Sequence, residues 1–272
     1  MSGSTLGANP LPRLLAIMTR LRDQEHGCPW DRRQTFDTIV PYTLEETYEV
    51  IDAIARRDYD DLRGELGDLL FQVVFYAELA REQGKFDFAD VCNAISDKLE
   101  RRHPHIFTLT DGAEEHGQAH PGQWENIKAQ ERESKSLLSP LDDIPDALPA
   151  LMKAQKIQQR CASVGFDWTT LGPVLDKVYE EIDEVMHEAR QVVVDEDKLE
   201  EELGDLLFAT VNLTRHLGKK AETALQKANR KFERRFRQVD EIIQSQGQSL
   251  HQASLEQMEA AWQQIKQQET GA

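Results

Sequence analysis

The stretch YEEIDEVMHEARQVVVDEDKLEEELGDLLF, from Tyr179 to Phe208, decides the fold. It places Glu180, Glu181 and Glu184 on one helical segment and Glu202 and Asp205 on the next, with a short polar turn between them. Side chains three apart on a helix are neighbours, so each segment carries a like-charged pair, Glu181/Glu184 and Glu202/Asp205, facing its neighbour. The same pattern occurs upstream. Glu45, Glu46 and Glu49 precede Glu65 and Asp68, and the run Glu-Leu-Gly-Asp-Leu-Leu-Phe is identical at 65–71 and 202–208.

Other pairs keep the order. Glu45 and Glu180 are offset by 135 residues, Glu65 and Glu202 by 137, Lys98 and Lys231 by 133, and Trp124 and Trp262 by 138. A near-constant offset across four motifs marks a tandem duplication. Apolar residues recur at helical spacing and strand-type alternation is missing, so the chain reads as all-α, two tandem bundles of four to five helices each. The expected layout is a flexible leader at 1–10, a helical domain at 11–135, a linker with Pro140, Pro145 and Pro149 at 136–149, and a second helical domain at 150–268. In the first unit, helices are expected from Pro12 to about Arg22, from near Pro41, from about Asp60 to Arg81 and from Phe88 to Arg102, with a short one around Trp124 and Lys128. In the second they are expected at 150–162, from Pro173, at Leu199–Leu217, from Ala221 to about Ile243 and from Leu255 to about Gln267. Trp30 is expected to cap the first core.

Composition narrows the function. With 49 Asp plus Glu against 32 Lys plus Arg, a formal charge of -17 repels a nucleic-acid backbone and argues against a polymeric nucleic-acid partner. Cys28, Cys92 and Cys161 are far apart, without zinc-type spacing, as expected of reduced thiols in the cytoplasm. No apolar run reaches the roughly 20 residues a membrane span needs, and the first ten residues lack the pattern of a signal peptide.

Four carboxylates converging beside apolar stripes need a counter-charge. Two unit charges about 4 Å apart repel by roughly 4 kcal/mol at an effective dielectric near 20. All-oxygen ligation selects a hard ion, Mg²⁺ or Mn²⁺. Lys231, Arg234 and Arg235 lie within about one helical turn and suit phosphate oxygens. A di-iron site is the competing metal reading, since Glu184/His187 and Glu100/His103 are both Glu-x-x-His, but the two fall in different units. A solvated acidic face belonging to a helical interaction or regulatory protein is the alternative from another functional class.

Glu-Glu-x-x-Glu followed by Glu-x-x-Asp resembles the all-α nucleoside triphosphate pyrophosphohydrolases. The tandem form, with Cys28-Pro29-Trp30-Asp31 and Lys231-x-Glu-Arg-Arg235, resembles the MazG family over about residues 11–268. The resemblance implies Mg²⁺-dependent conversion of nucleoside triphosphates, ATP among them, to monophosphate and diphosphate by a dimerising helical enzyme. Carried over by position, Glu181, Glu184, Glu202 and Asp205 are metal ligands, and Lys231, Arg234 and Arg235 bind nucleotide phosphates. Lys177, Lys198, Glu201 and Trp262 are placed with the nucleotide-binding set, and Glu180 is the candidate for positioning water. Glu46, Glu49, Glu65 and Asp68 form a second possible metal site. Lys177 and Lys198 have Tyr42 and Asp61 at the matching upstream positions, which points to the second unit as the catalytic one. The run Leu69–Phe75, apolar nearly all round, asks for more cover than a thin bundle gives, and so for a homodimer.

Overall fold

The computed structural model describes residues 9–107 and 139–270. Among these, all regular structure is helical. The chain divides into two compact units, 1–128 and 129–272. The expected helix around Trp124 and Lys128 lies outside the described residues. No helix among those described is long and apolar enough to cross a membrane.

In the first unit, α1 (Pro10–Leu21) starts on Asn9, whose side chain accepts a hydrogen bond from the Leu11 amide. A single 3₁₀ turn, Asp31–Arg33, leads to α2 (Phe36–Arg56). That helix begins five residues before Pro41, earlier than expected. Thr35 and Thr38 form a reciprocal capping box that closes the first turn, which outweighs the one intrahelical bond Pro41 cannot donate. Arg57 in the left-handed region, at φ 59°, ends α2. Asp58 then caps α3 (Tyr59–Glu82) by accepting from the Asp61 amide. The Asp87/Asp90 capping box opens α4 (Phe88–Arg102), and a four-residue α5 (Pro104–Phe107) follows.

Helix α3 is the spine of this unit, packing on α1, α2 and α4. Its Val74, Phe75 and Leu79 meet Met18 and Ile39 in the core, while Leu70 and Val73 remain exposed. Arg22 is buried against this core. Its guanidinium forms two 2.7 Å hydrogen bonds to Glu82, donates to the Asp31 carbonyl, and lies 5.4 Å from the Phe75 ring centroid. The Cys28–Asp31 loop is thereby tied to the end of α3. Trp30 does not cap the core as expected. It is 42% exposed and meets Tyr42 edge-on at 5.6 Å, because the buried position beside the loop is taken by Arg22.

In the second unit, α6 (Ala150–Ala162), α7 (Leu171–Ala189), α8 (Glu196–His216), α9 (Ala221–Ser245) and α10 (Leu255–Thr270) follow in order. Helices α7 and α8 form the main antiparallel hairpin, α6 packs on α8 and α9, and α9 pairs with α10. Val239, Ile243, Ala261 and Ile265 make the α9–α10 core. Gln155 pins the α8–α9 turn with both ends of its amide, donating to the Lys219 carbonyl and accepting from the Ala221 amide.

Phe75→Ala deletes a fully buried ring and the surface that Arg22 covers. The expected loss is about 3–5 kcal/mol, read as faster hydrogen exchange of α3 amides and an earlier urea transition for the first unit. Amides of α8 should be unchanged.

Candidate active site

Helix α7 carries Lys177, Glu180, Glu181 and Glu184 within two turns, and α8 carries Lys198, Glu201, Glu202 and Asp205. Asp195 caps α8 by accepting from the Lys198 amide, which sets the rotation of its first turns. Glu181, Glu202 and Asp205 can each place one carboxylate oxygen within 4.8 Å of the others. Glu181 is the buried member, 4% exposed. Its Oε1 lies 2.6 Å from Lys177 Nζ, while its Oε2 is buried without a hydrogen-bond partner. Lys177 also donates to Glu180 at 2.8 Å, and these two carboxylates hold its proton well above the usual lysine range.

Glu184 sits exposed beside the cluster. Desolvation, a hydrogen bond with Glu181 and the charges of Glu181 and Glu202 push its carboxyl above the usual range, with Lys177 opposing. Tyr179, Glu180, Glu184 and Glu202 line an acidic groove of about 740 Å³. A buried carboxylate oxygen left without a donor carries a desolvation cost that a cation relieves. The donors present are all carboxylate oxygens, which suits a hard divalent ion. Neither Glu-x-x-His histidine joins the cluster. His187 Nε2 lies 3.0 Å from Gln191 Nε2, and His103 Nδ1 lies 2.8 Å from the Leu99 carbonyl, so the geometry offers nothing to the di-iron alternative.

The first unit gathers Glu46, Glu49 and Glu65 within the same 4.8 Å limit, so the counterpart of Glu184 joins the set there and Asp68, the counterpart of Asp205, does not. Desolvation raises Glu46, then the charges of Asp68 and Glu49; desolvation also raises Glu65, then those of Glu49, Asp61 and Asp68. The counter-charge differs as well. Tyr42, in the place of Lys177, packs on Trp30, and Asp61, in the place of Lys198, is held by Arg56 together with Asp52 and Asp58.

The basic group forms a separate set on α9 and α10. Arg234 donates to Glu269 at 2.7 Å, and Arg235 donates to it at 2.9 and 2.5 Å. Between them they pull the Glu269 carboxyl down to about 2. The Arg235 guanidinium lies 5.7 Å from the Trp262 ring centroid, and Phe232 packs on the same ring. Lys231, Lys198 and Glu201 are exposed. Among the described residues, no hydrogen bond or ion pair joins the α9–α10 set to Glu181, Glu184, Glu202 or Asp205. Glu269 was not foreseen, since a lone carboxylate near a helix end carries no motif.

A cavity of about 640 Å³ shares Lys177, Glu181 and Asp205 with the acidic cluster and extends to Trp168, Phe208 and Asn212. One wall is the Gly165–Trp168 loop. Arg215 anchors that loop with two hydrogen bonds to Asp167, at 2.9 and 2.6 Å, and His216 Nε2 lies 2.9 Å from the same carboxylate. Hydrogen bonds from Arg215 hold the Asp167 carboxyl below its usual range, with burial opposing and His216 adding. Asn212 and Arg215 were also missed by the motif reading. The duplication contains the signal: at the 137-residue offset they stand where the first unit has Phe75 and Glu78, so at the first of these positions a polar amide replaces a core ring.

The MazG nucleotide pyrophosphohydrolase domain matches the chain twice, at residues 34–107 and 170–239. These matches contain both acidic clusters. A nucleoside triphosphate pyrophosphohydrolase of Escherichia coli strain K12 is 69% identical over 261 residues, covering 96% of this chain and 98% of that protein. A nucleoside triphosphate pyrophosphohydrolase/pyrophosphatase MazG of Thermotoga maritima is 44% identical over 253 residues, covering 93% and 94%.

The cluster predicts opposite effects of charge and metal. Glu202→Gln removes repulsion among Glu181, Glu184 and Asp205, so without divalent metal the variant should melt about 1–3 °C higher than the parent. Millimolar Mg²⁺ should raise the melting temperature of the parent by a few degrees and leave the variant nearly unmoved. Differential scanning calorimetry with Mg²⁺ or chelator checks both outcomes.

Proposed function

The chain belongs to the MazG nucleotide pyrophosphohydrolase family, and we propose on that premise that it hydrolyses nucleoside triphosphates to monophosphate and diphosphate, using Mg²⁺ held on the second helical unit, residues 150–268. The observation that carries the reading is the buried Glu181 with its unpartnered oxygen, converging with Glu202 and Asp205. Such a site fits the metal, with Mn²⁺ a substitute, and relatives of nearly full-length similarity bear the corresponding names.

Magnesium, when bound, supplies positive charge to the triphosphate oxygens. Glu181, Glu184, Glu202 and Asp205 would hold it. Lys177 and Lys198 add cationic charge beside the acids, and Glu201 is placed near Lys198 on α8. Glu180 is exposed and turned toward Lys177, positioned to orient a water and take its proton. The water oxygen bonds to phosphorus, the anhydride bond breaks, and the bridging oxygen keeps the electron pair.

Lys231, Arg234 and Arg235 complete the site by gripping the phosphates, with Trp262 stacking on the base or closing the pocket beside them. Since they form their own set on α9–α10, they serve the site of a second copy in a homodimer. Exposed apolar side chains on both hairpins, among them Tyr179, Leu207 and Phe232, supply the surface for association. The first unit retains its acids and can hold an ion. It is proposed as non-catalytic, because Tyr42 and Asp61 replace the cations and Phe75 is buried where the second unit has Asn212. Membership of the family and the charge balance support action on free nucleotides in the cytoplasm, with wide tolerance of base.

Incubation of the full chain with mixed triphosphates should release monophosphate and diphosphate with Mg²⁺ and neither with chelator. Glu202→Gln should lower turnover by at least about a thousandfold, while Glu65→Gln should keep most of it. Mixing a Glu202→Gln chain with a Lys231→Ala/Arg234→Ala/Arg235→Ala chain, after dissociation and reassembly, should restore about a quarter of the parental activity. That fraction follows because half the dimers are mixed and one of their two sites is intact. No restoration would place both sets within one chain.

A further inference from the structure

Glu269 joins two guanidiniums that the chain would otherwise hold apart. Arg234 and Arg235 are consecutive on α9, so their side chains leave the helix about 100° apart, and two like charges gain nothing by converging. One carboxylate bridges them. Arg234 Nη2 donates to its Oε1 at 2.7 Å, and Arg235 Nε and Nη2 donate to its Oε2 at 2.9 and 2.5 Å. Arg235 is further fixed by its place 5.7 Å from the Trp262 ring centroid. Trp262 and Glu269 both belong to α10 and stand about two turns apart, so one face of that helix presents both the ring and the acid to Arg235.

The carboxylate uses only part of what the arginines can donate. A guanidinium carries five N–H bonds in a rigid fork. Glu269 engages Nε and Nη2 of Arg235 and Nη2 of Arg234, and among the described residues Nη1 of either arginine makes no hydrogen bond. Two planes with their orientation already set thus keep donors to offer, on one exposed and one half-buried side chain. Helix stability does not explain the acid. Negative charge in the last turn of a helix is disfavoured by the helix dipole, and that turn of α10 has no basic residue to offset it. Nor does α10 need a fastener here, since Val239, Ile243, Ala261 and Ile265 already close the α9–α10 core and exposed ion pairs contribute little.

The two copies of the duplicated sequence support a joint role. Trp262-Gln-Gln-Ile265-Lys266-Gln-Gln268-Glu269 is matched by Trp124-Glu-Asn-Ile127-Lys128-Ala-Gln130-Glu131, and Arg234-Arg235 by Arg101-Arg102. Neither copy alone marks the acid, but their comparison does: each keeps the paired arginines together with a Glu at the same distance from the Trp.

We infer that Glu269 is a positioning residue for the triphosphate, holding Arg234 and Arg235 convergent so that their remaining N–H bonds face phosphate oxygens. The inference rests on the proposed triphosphate hydrolysis and on the phosphate role given there to the two arginines. Its physical basis is preorganisation: two long, rotamer-rich side chains are ordered before the substrate arrives, and binding does not have to order them. Hydrogen bonds from Arg235 and then Arg234 hold the Glu269 carboxyl down to about 2, so the bridge stays ionised at neutral pH.

The test is steady-state kinetics of the full-length protein with Mg²⁺. Glu269→Gln keeps the size of the side chain but sets one acceptor and one donor where two acceptors stood, so it cannot bridge both arginines. KM for ATP should rise about fivefold to tenfold, with kcat changed less than about twofold, the pattern of lost uniform binding. Inhibition by inorganic triphosphate, which has no base, should weaken by the same factor, which assigns the loss to the phosphates and not to Trp262. Added to Arg234→Ala/Arg235→Ala, Glu269→Gln should raise KM no further. A mere fastener of α10 would instead lower the melting temperature and add in full to the arginine variant, and that result overturns the inference. A fall in KM overturns it too, since Glu269 would then compete with substrate for the arginines. If the parent releases no monophosphate from any triphosphate, the hydrolase reading fails first and the positioning role falls with it. Raised KM in the arginine variant with unchanged KM in Glu269→Gln sinks the positioning role alone.

Discussion

Negative charge brought together beside an apolar core is the constraint on which both units depend. Carboxylates on consecutive helices gain nothing from approaching one another, and burial sharpens their repulsion. The rest of the architecture holds them there regardless. Capping residues open α2, α3 and α8, the α2–α3 and α7–α8 connections keep the hairpins closed, and packing against α1 or α6 supplies the stabilisation that the acids remove. Raised carboxyl groups at Glu46, Glu65 and Glu184 record that cost. Stability forgone at one place for chemistry is the usual relation between a working site and its scaffold.

Duplication allows the two solutions to be compared within one chain. The acidic hairpins match in motif, yet their counter-charges have diverged. The second unit places Lys177 on Glu181, whereas the first uses Tyr42 to pack on Trp30 and keeps Arg56 for three aspartates outside the cluster. Their interiors diverge in the same sense. Phe75 and the buried Arg22 close the first unit, with Arg22 linking a loop to the end of α3. Arg215 performs a comparable tie in the second unit, from the C-terminal part of α8 to the Gly165–Trp168 loop, but leaves a cavity beneath it.

Much of this was legible in the residues. Helical periodicity and the repeated Glu-Leu-Gly-Asp-Leu-Leu-Phe run announced two all-α units, because period and repetition are local properties that folding preserves. The convergence of Glu181, Glu202 and Asp205 followed from i,i+3 spacing on adjacent helices. Helix starts were read unevenly: Pro173 does lie in the first turn of α7, whereas the Thr35/Thr38 box places the start of α2 well before Pro41. Gln158, Asn212 and Arg215 could not be found by motif, since their importance lies in the partners each side chain holds. Those partners lie 50 residues away for Gln158 and 48 for Arg215. Trp30 was assigned to the core on size alone, and a buried arginine took the place instead.

Lys177 has a consequence beyond its ion pairs. It is tethered one helical turn from Glu181, so its effective concentration at the acids is set by the chain and does not fall on dilution. The buried carboxylate therefore never faces its acidic neighbours bare, because the covalently attached ammonium stays beside it. Any cation these acids take up adds its charge to one already resident and is not exchanged for it.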